Sequence, residues 1–217
     1  MVSRLFPLAA LCFSAAVLTT GALAADPAPM KLPHGQKDIA AADSGAYTMD
    51  KNHVAVLARV SHMGFSISVF RFGAAEATLD WDAKTPGKSK LSATVDTSSI
   101  ETNVPGFAEE LQGEKYLNAK AFPTATFVST AFHQKDAAHG TVDGNFTLKG
   151  ITKPMTFTVT LVGAGAGFAG GPTMGRLIGV HAEGAINPQD FNMGPFFAEP
   201  IVLTVDTEFD KPNAPAK

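Results

Sequence analysis

The sequence predicts an all-β fold, an antiparallel sheet closed into a barrel or folded into a sandwich. Three observations predict it. Apolar and polar residues alternate at period two in segment after segment, glycine, proline and asparagine turns separate those segments at short intervals, and a single stretch breaks the pattern. The clearest alternation is HGTVDGNFTLKG: Gly140, Val142, Gly144, Phe146 and Leu148 share one face, and Thr141, Asp143, Asn145, Thr147 and Lys149 the other.

The first 24 residues stand apart from this pattern. Arg4 in a short basic start, an apolar run from Leu5 to Leu18 and the small-residue sequence Ala22-Leu23-Ala24 predict a secretory signal peptide over 1–24, cleaved after Ala24. The run is shorter than the roughly 20 residues a spanning helix needs, so no stable membrane anchor is expected. Leu11, a large residue, precedes Cys12, which argues against lipidation there. Export to the periplasm follows. Residues 25–45 carry three prolines and little periodicity and are expected to form a flexible leader; the barrel is expected over 46–210 and a frayed tail over 211–217.

Within the barrel span, strands are expected near 47–62, 65–72, 74–82, 89–98, 124–133, 138–149, 154–163, 174–187 and 199–210. Leu91, Ala93 and Val95 alternate in KLSATVDTS, and Met155, Phe157, Val159 and Leu161 in PMTFTVTLV. Ile201, Leu203 and Val205 repeat the pattern near the end. The exception is NVPGFAEELQGEKYLNAKAFP, where Glu109, Glu110 and Leu111 fall at helical spacing and predict one or two short helices. GAGAGFAGG follows a strand, opens no helix, lacks a downstream acidic residue and reads as a flexible loop rather than a nucleotide-binding turn. Sheet closure suits this chain, because it removes edges that would otherwise invite aggregation.

Composition excludes several functions. Removing 24 of the 217 residues leaves 193 without any cysteine, since Cys12 is the only one; disulfides, iron–sulfur clusters, cysteine zinc sites and thiol nucleophiles are excluded. The mature chain carries 16 basic against 20 acidic residues, net −4, which offers no footprint for nucleic acid. No GxSxG elbow is present, and no enzymatic activity is expected. His53 and His62 are nine residues apart and would face opposite ways in one strand, so they cannot share a metal; His133 and His139 have no carboxylate at a familiar ligand spacing. No metal or cofactor is expected.

Ala58, Ala75, Ala77, Ala93, Gly140, Gly144, Ala182 and Gly184 fall on the dry face, and small inward residues in a barrel of about eight strands leave room for a ligand. The chain has 16 phenylalanines against two tyrosines and one tryptophan, a lining suited to an apolar guest. The residues expected to line the ligand are Val56, Val60, Phe70, Phe72, Leu79, Trp81, Val128, Phe146, Leu148, Phe157, Val159 and Ile178. His62 is a candidate at the channel mouth, although a strand-end hydrogen bond accounts for it as well. Arg176 is the candidate partner for an anionic head group if it points inward.

Several blocks, in order, carry a resemblance: Asp50 and His53 as D-x-x-H, HMGFS at 62–66, FRFG at 70–73, TVDTSSIET at 94–102, KYLNAKAFPTATFVSTAF at 115–132, LKGITKPM at 148–155 and DFNMGP at 190–195. Together they resemble the YceI-like family of secreted, lipocalin-like, polyisoprenoid-binding bacterial proteins, over about Tyr47 to Phe209. The resemblance implies an extended antiparallel lipocalin-like barrel of about eight strands with a short helical insert. It also implies an isoprenoid-type lipid or isoprenoid quinone as ligand, sheathed for transport or storage, and a homodimer, since members are often dimers. Where many members carry a basic residue before the DFG-like block, this chain has Asn187, Pro188 and Gln189, which leaves the head group open. The alternatives are a stress-protective periplasmic protein whose channel is a filled core, or a binder of fatty acids or fatty amides.

Overall fold

The computed structural model describes residues 32–167, 175–195 and 197–212; the expected signal peptide lies outside them. Ten strands form: β1 (Gly45–His62), β2 (Ser66–Phe72), β3 (Ala75–Trp81), β4 (Lys90–Asp96), β5 (Ile100–Glu101), β6 (Thr124–Gln134), β7 (His139–Leu148), β8 (Ile151–Ala166), β9 (Gly175–Ile186) and β10 (Ile201–Pro212). Among the described residues one α-helix, α1 (Phe107–Gln112), falls in the stretch where the alternation stops. The expected strands are all present with ends shifted by a few residues. β5 is an addition too short to leave a period-two signal. β8 runs through Ala166 and takes the first residues of the glycine-rich segment, of which 168–171 lie outside the described residues.

All the pairings are antiparallel, and the ring runs β1–β3–β4–β6–β7–β8–β9–β10 and back to β1, a closed eight-stranded barrel. β1 closes it by serving two partners in turn. Its first residues pair with β3, from Gly45 opposite Trp81 to Thr48 opposite Thr78, and its last with β2, from Val56 opposite Phe72 to His62 opposite Ser66. Between the two halves β1 bulges: Met49 faces Phe209 and Val54 faces Thr207, so β10 advances two residues while β1 advances five. Met63 and Gly64 both have positive φ, as do Lys149 and Gly150. That is the requirement of the tight type I′ turn, and it lets β7–β8 fold back after two residues and β1–β2 after three, Phe65 being the third.

The barrel has two unlike ends. At one, the segment from β5 through α1 packs Ile100, Leu111, Tyr116 and Leu117 against Val60, Phe70, Phe146 and Leu148, and Phe191, Met193 and Phe197 from the β9–β10 connection complete the cluster. Polar ties hold the covering loops there: the Gln189 amide donates to the carbonyls of Met193 and Phe197, and Lys149 Nζ donates to the Asn192 carbonyl at 2.7 Å. Burial alone lowers the Lys149 pKa, and the carbonyls stabilise its charge without neutralising it.

The opposite end holds the β6–β7 hairpin and a smaller cluster around Tyr47, Trp81, Leu161 and Ile178. The N-terminal segment straps across it, and here the expectation of a flexible leader over 25–45 needs correction for the described part, 32–45. Gln36 exchanges two backbone hydrogen bonds of 2.8 Å with Ala164, Ile39 N–H donates to the Ala137 carbonyl, and Ala42 is buried. The segment has no periodicity because it pairs by single bridges rather than by a ladder. β10 likewise continues to Pro212, past the expected start of the tail at 211. Among the described residues no helix is long and apolar enough to cross a membrane.

Candidate functional site

Two contiguous cavities occupy the barrel between its closed end and the β6–β7 hairpin. The lumen cavity, about 160 Å³, is walled by Met49, Val56, Leu91, Val95, Phe127, Phe146, Phe157 and Phe209 among others, with Thr126 and Thr207 the only polar residues of its described lining. The second, about 110 Å³, reaches the surface between Ile39, Pro86 and the β6–β7 hairpin. Leu79, Phe132, Val142, Val159 and Val180 belong to both walls, so the two spaces adjoin across these side chains.

Polar residues join the lining at the mouth, whose wall is otherwise apolar, and are nearly absent from the lumen. His133, Gln134, Asp136 and His139 ring the mouth. His133 Nε2 lies 2.9 Å from Asp143 Oδ2, and His139 Nδ1 lies 2.9 Å from Asp136 Oδ1, so each imidazole is already held by a carboxylate. Hydrogen bonds from the Ala138 backbone, then from His139, lower the Asp136 pKa. Trp81, 8 % exposed, lines the mouth cavity, and its indole N–H has no hydrogen-bond acceptor. A buried donor without a partner carries a cost. The described lining of both cavities carries no lysine or arginine.

Of the residues expected to line a ligand, Val56, Phe146 and Phe157 wall the lumen, Trp81 and Ile178 the mouth, and Leu79 and Val159 both. Val60, Phe70 and Leu148 are buried in the closed-end cluster, with Phe72 packed against it, and border neither cavity. Three placements need correction. Val128 is 49 % exposed and faces out, because Phe127 takes the inward position and a bulge between Ser129 and Ala131 resets the phase of β6. His62 stands beside the β1–β2 turn at the closed end, far along β1 from the mouth. Arg176 lines neither cavity: its Nε lies 2.8 Å from Asp43 Oδ2 and its Nη2 donates to the Ala41 carbonyl at 3.0 Å, which spends its charge on the strap.

Small inward residues also behave differently from expectation at two positions. A Cβ on Gly144 would meet the Phe127 ring at 2.3 Å, and one on Gly184 would meet Met155 Cε at 2.6 Å. Neighbouring side chains already fill those spaces. Phe127 and Phe132 are missing from the expected lining for one reason: five residues apart, they lie on opposite faces of a regular strand, and only the bulge turns both inward. A bulge of this kind leaves no mark in the alternation of a single sequence.

Comparison with known proteins places the chain among relatives. The model of the YceI-like domain family matches residues 47–209. Protein YceI of Salmonella arizonae is 36% identical over 149 residues, covering 68% of this chain and 75% of that one, and Protein YceI of Salmonella enteritidis PT4 matches to the same degree. Among solved structures, BcnA of Burkholderia cenocepacia superposes with a TM-score of 0.65 at 22% identity, over 74% of this chain and 98% of that one. A polyisoprenoid binding domain from Saccharophagus degradans superposes with a TM-score of 0.55 at 10% identity, over 78% and 100% of the two chains.

Proposed function

The chain belongs to the YceI-like domain family, and from that premise we propose that it is a periplasmic carrier of a long apolar lipid of the isoprenoid class, with an uncharged, hydrogen-bond-accepting head held at the mouth. The observation that carries this reading is the pair of adjoining apolar cavities inside the barrel, with polar residues in the lining of the outer one and no lysine or arginine in the described lining of either. A phosphate head would need a lysine or arginine there. Gln134 and the histidines of the mouth lining suit a carbonyl or hydroxyl oxygen, as a quinone supplies. The family premise and the likeness to the polyisoprenoid binding domain of Saccharophagus degradans support the isoprenoid class.

The energetics set a condition on this reading. A cavity of about 150 Å³ holds a molecule the size of benzene, so the lumen at about 160 Å³ takes only part of a tail. Sheathing the whole tail requires the Phe127, Phe132 and Phe157 rings to swing aside. A tail of about 20 carbons offers roughly 16 kcal/mol gross at ~0.8 kcal/mol per methylene, against about 4–15 kcal/mol for association, which leaves about 1–12 kcal/mol to move rings. The second reading, a structural protein whose lumen is simply core, is favoured by one observation: the Phe127 ring is seated on Gly144.

Trp81 is the only tryptophan of the chain, so its emission reports the mouth alone. Titration of the purified chain with a long-tailed isoprenoid quinone is expected to quench that emission at one ligand per chain, with a polyprenyl phosphate of equal tail length binding at least tenfold more weakly. Equal or tighter binding of the phosphate would overturn the uncharged head. No binding of either lipid, with none extractable from protein purified from its source, would leave the structural reading.

A further inference from the structure

The outer face of the β1–β10 seam carries a cluster that the lipid reading does not use. The bulge in β1 throws Asp50 to His53 out of the ladder, and the loop is tied by its own side chains: Asp50 Oδ1 accepts from the Asn52 N–H at 2.8 Å and Asp50 Oδ2 lies 2.6 Å from His53 Nδ1. The bulge lies against β10, where Glu208 and Asp210 alternate with the lumen-facing Thr207 and Phe209. One ligand atom each from Asp50, His53 and Glu208 lie within 4.8 Å of one another.

Two further observations mark this as more than a chance meeting of surface charges. The Asp50 side chain is only 8 % exposed, whereas His53 is 61 % exposed and open to solvent on its far side. Asp210 Oδ1 is buried and has no hydrogen-bond partner. Three carboxylates therefore meet with one imidazole for compensation. The neighbouring lysines are committed elsewhere, Lys51 to Glu76 at 3.6 Å and Lys211 to the Ser44 carbonyl at 2.6 Å.

We propose that Asp50, His53 and Glu208, with Asp210 behind them, form a site for a divalent first-row transition cation of the zinc type. Imidazole nitrogen with carboxylate oxygens is the donor set such an ion accepts, and three protein ligands leave a position for water. The location gives the ion a structural task. β1 changes partners at this bulge, from β3 to β2, and a cation joining the bulge to β10 would fix the angle between the two halves. The site is independent of what the lumen binds.

The test is calorimetric titration of Zn²⁺ into the purified, tag-free full chain at neutral pH, repeated on H53A and E208Q. One Zn²⁺ per chain is expected, at least tenfold weaker in each variant, with a Zn²⁺-dependent rise in thermal midpoint that both variants lose. Absence of stoichiometric binding to the unaltered chain would overturn the site, with His53 then acting as a protonated counterion. Binding that persists unchanged in both variants would overturn it too, by assigning the metal to other histidines. E208Q alters a partly exposed strand residue, and its circular dichroism confirms folding independently of metal.

Discussion

The two ends of the barrel are made of the same residue types and do different things. At the closed end aromatic rings interlock: Phe146 meets Phe191 edge to face at 5.6 Å, Tyr116 meets Phe197 at 5.3 Å, and Phe70 meets Phe107 at 5.9 Å. At the open end Phe132 meets Trp81 at 6.5 Å, and both rings also border empty space. Packing density sets the difference. One end is held by buried contacts, the other by a strap and by paired charges at a rim, and a barrel that admits a ligand must give way at the second without loosening the first.

The sharpest way to break this contrast is the same truncation at each end. Phe191→Ala removes a ring that is 2 % exposed and should cost about 3–5 kcal/mol in urea unfolding. Phe132→Ala, at a wall that already faces a cavity, should cost about half of that or less. Equal losses would mean that the open end is packed as tightly as the closed one.

Gly144→Leu comes next in size and bears on the boundary between the two regions. With the Phe127 ring already at 2.3 Å from a Cβ, the added side chain has no free volume and should destabilise by about 1–3 kcal/mol. A variant that keeps full stability would show that Phe127 swings out easily, the movement a long tail requires. Val180→Phe tests the same lumen from its open part. Val180 borders both cavities, so a ring there enters space that exists; stability should change by less than about 1 kcal/mol while lipid-dependent quenching of Trp81 is lost.

Much of this contrast is legible in the sequence, and the failures have physical causes. The strands are readable because each buries one face against a single interior: Val142, Gly144, Phe146 and Leu148 alternate without error through β7. In β6 one bulge breaks the phase, puts Val128 on the wrong side and hides Phe127 and Phe132. The strap escapes a sequence reading because Gln36, Ile39 and Asp43 each make isolated contacts to distant strands, and no local pattern encodes those. The β1–β10 cluster is invisible for a similar reason. Spacing along the chain pairs His53 with His62, nine residues away, while Glu208 comes from the last strand.

The smallest expected effect concerns the charges that hold the open end. Asp143 lies on the outer face of β7, where the Thr156 hydroxyl donates to it at 2.6 Å and His133 lies 2.9 Å away; those hydrogen bonds, Thr156 first, lower its pKa. A carboxylate with a depressed folded-state value contributes stability that is present above its unfolded value, about 3.9, and is lost as pH falls through the folded one. Asp136, in the same β6–β7 hairpin, is likewise held below its ordinary value by hydrogen bonds from the Ala138 backbone and His139. Acidification should therefore loosen the β6–β7 region first, seen as amide exchange that rises at His133 to Thr141 before it rises at Phe146 to Leu148. Thr156→Val removes the leading cause, so the Asp143 carboxyl should titrate nearer its ordinary value and the loosening should begin at higher pH. If the acid limb is unchanged in Thr156→Val while Asp143 titrates normally, the rim is held by the strap and its backbone bonds rather than by this charge.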